Sequence, residues 1–244
     1  MREKNYSLRE RKHAWTKITI VDAFIKRLRH CRYEEISIRK LCKEVEISGG
    51  TFFNYFPEKI DIINYYRNLL TLKIIWKARQ EVMPGKYLAM INAIFMKFAE
   101  ELTNVNLINK LIAVMISQKE RPKKIVILNS EKQIMYPDYA GMENISTTSI
   151  EEFFRQCLRH ALKNGELPRN TDIEDVLISL LTILGGTLMT ARFKNVQDKA
   201  YQYTRQLKLL WNGLGVKRTP GLEKTCHHPA RSTRRKGNRC PLHQ

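Results

Sequence analysis

Between Ser37 and Lys59 the chain gathers small, aromatic and basic residues at spacings suited to gripping a nucleic-acid duplex. Ser37 precedes an apolar-periodic run of Ile38, Leu41, Cys42 and Val45, and it is a good N-cap for a helix of about two turns. Ser48 is placed to cap a second short helix whose inward face is Phe52 and Phe56, and Pro57 to open a third. The first turn of a helix presents unpaired N–H groups and a positive dipole end to phosphates. Gly49, Gly50 and Thr51 put little bulk there, so backbone can come close. Asn54 lies one turn further along the exposed face, and an Asn side chain pairs with adenine. Phe53 can touch a thymine methyl, Arg39 a guanine edge, and Tyr55 and Lys59 phosphates. The alternative is the ordinary surface of a small helical subdomain, since two short helices and a turn are common.

Residues Ile38 to Cys42 followed by Val45 to Lys59 resemble the helix-turn-helix of TetR-type bacterial transcriptional regulators. The Ser-x-Gly-Thr, the aromatic pair, the Tyr-Phe and the Lys three residues later all match, and the resemblance is specific over roughly residues 15–66. It implies that Ser37 and Arg39 touch phosphate and base. It implies that Ser48, Gly49, Gly50 and Thr51 form the N-terminus of the recognition helix. Phe53, Asn54 and Tyr55 would be its contacting side, and Lys59 a phosphate contact. It further implies a dimer, a palindromic double-stranded DNA operator and a small-molecule effector. Two residues depart from the family pattern. Glu46 stands where the family has Gly in the turn, and a non-glycine residue with positive φ costs on the order of 1 kcal/mol. Phe53 stands where the family has Tyr, which removes one phosphate hydrogen bond. Glu44 and Glu46 add negative charge beside the surface.

The surrounding chain fits that reading. A formal net charge of +19 over 244 residues predicts attraction to a polyanion. The charge is concentrated: residues 1–56 carry 13 Lys/Arg against 7 Asp/Glu, and residues 217–244 carry 8 against 1. With 11 Gly and 8 Pro, long periodic stretches dominate, which favours an all-α fold. The organisation expected is a basic arm at 1–13, a three-helix helix-turn-helix domain at 14–60, a helical effector-binding and dimerisation domain at 61–216, and a basic tail at 217–244. The arm is either a solvated terminus or a segment that follows phosphates or a minor groove.

Ile18, Val21, Phe24, Ile25 and Leu28 share one face of a helix expected from about Ala14 to Cys31. A long helix from Pro57 is traced by Ile60, Ile63, Tyr66 or Arg67, Leu70 and Ile74. Stripes follow at Leu88 to Leu102 and at Leu107 to Met115. Residues 119–146 read as a long connection with at most one helical turn. Thr147 or Thr148 is expected to cap a helix that stops at Asn164-Gly165. Thr171 and Glu174 form a capping-box pattern ahead of the most apolar helix, and a last helix is expected from Val196 to Trp211. Thr171 to Trp211 is the expected dimer interface, the alternative being packing within one subunit. Trp76, Met90, Phe95, Met96, Phe98 and Met115 can line a pocket or simply fill a core, and no ligand residues are assigned.

Other chemistries find little support. No nucleophile with a base, phosphate loop or metal set stands out, so an enzyme is not expected and no cofactor is implied. The apolar run from Val176 to Ala191 falls short of the roughly 20 residues of a membrane span, which points to a cytoplasmic protein without a membrane partner. Five cysteines form no CxxC pair, and Cys31, Cys42 and Cys157 read as reduced side chains. Cys226, His227, His228, Cys240 and His243 lack a zinc frame, leaving the tail as a phosphate-attracting extension or a reading-frame scar. A basic helical protein that binds nucleic acid without sequence preference remains the competing class.

Overall fold

The helical periodicity is realised as ten α-helices and one 3-10 turn among the described residues, with no strand. The structure, a computed structural model, describes residues 6–118, 125–146, 149–194 and 198–216. The tail from Lys217, with its cysteines and histidines, lies outside them, as do Arg2 and Lys4 of the arm.

Helix α1 spans Leu8–His30 and so starts at Leu8 rather than Ala14. A capping box explains the difference. The Ser7 hydroxyl accepts the Glu10 N–H at 3.2 Å, and the Glu10 carboxylate accepts the Ser7 N–H at 2.8 Å. Residues 8–13 of the expected arm are therefore helix. Helices α2 (Ile38–Glu44) and α3 (Gly49–Tyr55) begin as expected, at Ser37 and Ser48 caps. Helix α4 spans Lys59–Glu81 and starts after Pro57, because the Asp61 carboxylate accepts the Glu58 N–H at 2.9 Å and fixes Glu58 as the cap.

Helices α5 (Tyr87–Glu101) and α6 (Val105–Ile116) follow the two expected stripes. The long connection then holds a full helix, α7 (Asn129–Met135), besides the 3-10 turn Met142–Asn144. Its inward face is Ser130, Glu131 and Lys132, all buried, so apolar periodicity could not reveal it. Helix α8 (Ile150–Lys163) is capped by Ser149, and the expected caps Thr147 and Thr148 lie outside the described residues. Helix α9 spans Ile173–Lys194. Its expected capping box does not form: the Asp172 carboxylate accepts the N–H groups of Glu174 and Asp175 at 2.8 and 3.2 Å, while the Thr171 hydroxyl turns back to the Pro168 carbonyl. Helix α10 is Lys199–Gly213, capped by Asp198, and the expected start at Val196 lies outside the described residues.

Two bodies of helix result. Helices α5, α8, α9 and α10 touch in a closed ring, each packed on two neighbours, which makes a four-helix bundle. Phe95 stacks on Phe154 with centroids 5.5 Å apart, meets Tyr203 edge-on at 5.1 Å, and so fills the bundle's centre. The Trp211 indole N–H donates to the Asn92 side chain at 2.9 Å. At the other end α1 packs on α2, α4, α6 and α7, and α2 on α3. Helix α4 packs on α1 and on α5 and so joins the two bodies.

Candidate nucleic-acid interface

The turn between α2 and α3 is a Schellman motif built on the wrong residue type. The Ile47 N–H donates to the Cys42 carbonyl at 3.0 Å and the Glu46 N–H to the Lys43 carbonyl at 3.4 Å. That wrap requires a left-handed residue at Glu46, whose φ is 55°; among the described residues it is the only non-glycine with positive φ. The strain expected from the sequence is present. Buried Leu41, Cys42, Phe52 and Phe56 hold the two helices against α1 and α4.

The opening of α3 is tightly organised. The Ser48 hydroxyl accepts the Thr51 N–H at 3.0 Å and lies 2.9 Å from the Thr51 hydroxyl. Gly49 and Gly50 are exposed, and neither has a positive φ. A Cβ on Gly49 would meet nothing within 4 Å, and one on Gly50 would meet only the Ser48 hydroxyl at 3.8 Å. Among the described residues nothing requires glycine at either position. Phe53 is 53% exposed, held edge-on against Phe52 at 5.2 Å. Asn54 and Arg39 are exposed, while Ser37 is half-buried and caps α2 by accepting the Lys40 N–H. Gly49, Gly50, Phe53 and Asn54 thus share the exposed side of α3, with half-buried Thr51 at its first turn, and Arg39 is exposed on α2.

Two expected phosphate contacts are engaged elsewhere. Tyr55 is half-buried and packs on His13 with ring centroids 4.7 Å apart, a partner supplied by the unforeseen first turns of α1. The Lys59 ammonium donates to the Tyr33 carbonyl and sits 4.3 Å from that ring's centroid. Burial lowers its pKa, with the nearby Glu34 acting in the opposite direction. Its remaining N–H donors are what it has for a phosphate. Glu44, expected to repel DNA, is neutralised in place: Arg27 Nε donates to its carboxylate at 2.7 Å.

Two long-range links tie this end to the rest, and neither has a local sequence signal. Lys17 on α1 pairs with Glu131 on α7 at 2.9 Å. Lys110 on α6 donates to the carbonyls of Leu28, Arg29 and Cys31 at 2.8, 3.2 and 3.0 Å, capping the C-terminus of α1 with a cation. Of the six residues considered for a pocket, Phe95 belongs to the bundle core. The Trp76 indole donates to the Ala140 carbonyl at 2.8 Å, and Met96 lies 3.8 Å from the Thr204 hydroxyl. Phe98 is buried, Met90 half-buried, and Met115 is exposed beside Arg67.

No family model matches the chain, and no curated protein does. Solved structures do. A protein from Syntrophomonas wolfei assigned to the TetR family superposes with a TM-score of 0.56 at 16% identity, covering 82% of this chain and 95% of that one. Regulatory protein TetR from Rhodobacter sphaeroides matches at 0.50 and 15%, covering 79% and 97%. The chain has the TetR-family fold. FadR from Bacillus subtilis, solved with stearoyl-CoA, has the same fold, at a TM-score of 0.51 and 16% identity over 80% of this chain and 98% of that one. The TetR fold is therefore reached here at low sequence identity, and the resemblance carried by residues 37–59 falls on α2, α3 and the turn between them.

Proposed function

We propose that the chain is a homodimeric transcription regulator of the TetR kind, a repressor that binds a palindromic operator and leaves it when a small-molecule effector binds. It is not an enzyme and works in the cytoplasm, where its DNA is. The observation that carries this reading is the empty space around Gly49 and Gly50. Side-chain-free positions at the start of an exposed helix, unneeded by the fold, suit a backbone that must approach an external surface closely. Thr51, Asn54, Phe53 and Arg39 supply base-directed groups around them. Ser37, Ser48 and the remaining donors of Lys59 would meet the phosphates, and Tyr55 would have to leave His13 to join them.

Dimerisation rests on α9 and α10. Ile178 is 62% and Leu209 66% exposed, with Met189 also open to solvent on the same pair of helices. The run expected to fall short of a membrane span extends, as helix, over Ile173–Thr190, 18 residues of mean hydropathy 1.5, long and apolar enough by composition to cross a membrane. A second copy covering that face accounts for its composition without a membrane. A two-fold dimer also sets two short recognition helices on successive half-sites, which one helix alone could not read.

The test is a salt titration of binding to a palindromic operator, found by footprinting upstream of neighbouring genes, and to random DNA. A regulator keeps a large preference for the operator at every salt concentration. Equal affinities throughout would identify a basic protein attracted to phosphate alone, as the net charge of +19 permits.

A further inference from the structure

The C-terminal end of α3 is flanked by a histidine from α1. His13, on the second turn of that helix, is exposed, and its ring centroid lies 4.7 Å from that of Tyr55, the last residue of α3. The two rings are tilted by 44°, so the imidazole leans over the half-buried phenol. Arg9, one turn earlier on the same side of α1, and Lys12 are exposed as well. Among the described residues His13 makes no hydrogen bond and no ion pair. The carboxylates of the neighbouring elements are engaged elsewhere. Glu10 accepts the N–H and the hydroxyl of Ser7 at 2.8 and 2.7 Å, Asp61 accepts the Glu58 N–H at 2.9 Å, and Glu131 holds Lys17 at 2.9 Å. Glu58, the cap of α4, and Glu143, in the 3-10 turn, form no ion pair with His13 either.

That position borders the exposed side of α3. A helix seated in a major groove about 12 Å wide has a phosphate strand along each side. Tyr55 is covered by His13, and a neutral phenol offers a single uncharged donor. A protonated imidazole offers two N–H donors and a charge, and hydrogen bonds from a charged donor are about twice as strong as neutral ones. The aromatic face beneath it favours the same charged form, since a cation is attracted to a ring's electron-rich face.

We propose that His13, as an imidazolium resting on Tyr55, is the contact to operator phosphate at the C-terminal end of α3, so that DNA binding takes up a proton at this residue. The inference rests on the DNA-binding part of the function proposed above and adds a pH response to it. Phosphate favours the charged imidazole, so the bound state holds more protons than the free one. Affinity therefore falls as pH rises through the range in which imidazole loses its proton. Tyr55 is the platform that sets the angle of the ring.

The test is fluorescence anisotropy with operator and with random DNA at fixed ionic strength from about pH 5.5 to about pH 8.5, with circular dichroism at each pH to check the fold. The native protein should lose about tenfold in affinity for both DNAs across that range, the scale of one charge-assisted phosphate contact. His13→Gln should lack that loss and bind at every pH as the native protein does at the alkaline end. His13→Lys keeps a cation throughout and should hold the acid-side affinity at every pH, which separates loss of charge from loss of fold. At the acid end His13→Gln should also show a salt slope smaller by about one. A flat profile for the native protein, or the same fall in native protein and His13→Gln, would overturn the contact. The regulator is judged separately. Equal affinity for operator and random DNA removes it, while a His13-dependent profile on random DNA keeps the contact. A large operator preference with a profile that ignores His13 removes the contact alone.

Discussion

Lys17 on α1 and Glu131 on α7 form an ion pair at 2.9 Å whose side chains are 13% and 0% exposed. The Lys17 ammonium also lies 4.4 Å from the centroid of Tyr65 on α4, so one cation joins three helices. The Glu131 carboxylate accepts the Leu128 N–H at 2.9 Å and thereby starts α7. Removing one partner of a buried pair strands the other, at a cost of about 3–5 kcal/mol. Glu131→Gln should lower the urea-unfolding free energy by about that amount, and Lys17→Met in the same chain should restore much of it. A loss below about 1 kcal/mol in the single variant would show that the pair is wetter than its burial implies.

The turn at Glu46 gives a prediction of opposite sign. A left-handed non-glycine residue costs about 1 kcal/mol relative to glycine. Glu46→Gly should raise the melting temperature by about 2–4 °C for a domain of this size. It also removes a negative charge beside the proposed DNA surface, so operator affinity should rise or hold. A fall in melting temperature would mean that the Glu46 side chain contributes something its exposed position does not reveal.

Gly49 and Gly50 separate folding from binding. Ala at either position has room, and Ala is favoured over Gly inside a helix by about 1 kcal/mol. The double variant Gly49→Ala, Gly50→Ala should therefore melt no lower than the native protein. Its affinity for the operator should nevertheless fall by about tenfold or more, since each methyl stands between backbone and DNA. Both quantities can be read on one preparation, by differential scanning fluorimetry and by fluorescence anisotropy. Undiminished operator binding would place the reading surface elsewhere.

The helix-turn-helix was legible in the sequence because its determinants are local. Ser37 and Ser48 cap their helices as their types suggest, and Glu46 shows its strain through a family pattern that wants glycine there. Sequence reasoning failed where partners come from far along the chain. Helix α7 buries Glu131 and Lys132, whose partners Lys17 and the Ile145 carbonyl have no fixed spacing from them. Tyr55 ends α3 and Lys59 begins α4, yet their tips meet His13 and Tyr33, contacts that depend on how α1 crosses these helices. The start of α1 itself was missed through a capping box, Ser7 with Glu10, inside a stretch whose charge suggested an unfolded arm.

The exposed face of α9 and α10 yields the last prediction. Ile178 and Leu209 each leave most of their surface in water, an uncommon state for large aliphatic side chains on adjacent helices. In a monomer, replacing either with a charged residue would touch nothing and change stability by less than about 0.5 kcal/mol. In a dimer that buries this face, two like charges would be forced towards each other across a two-fold axis, where the same residue meets or neighbours its copy. Ile178→Glu should accordingly convert the protein from dimer to monomer in sedimentation velocity while leaving its helical circular dichroism unchanged. Affinity for a palindrome should fall steeply, because two half-sites must then be bound independently, whereas affinity for a single half-site should change little. A dimer that survives Ile178→Glu and Leu209→Glu together would show that copies of the chain associate through another surface.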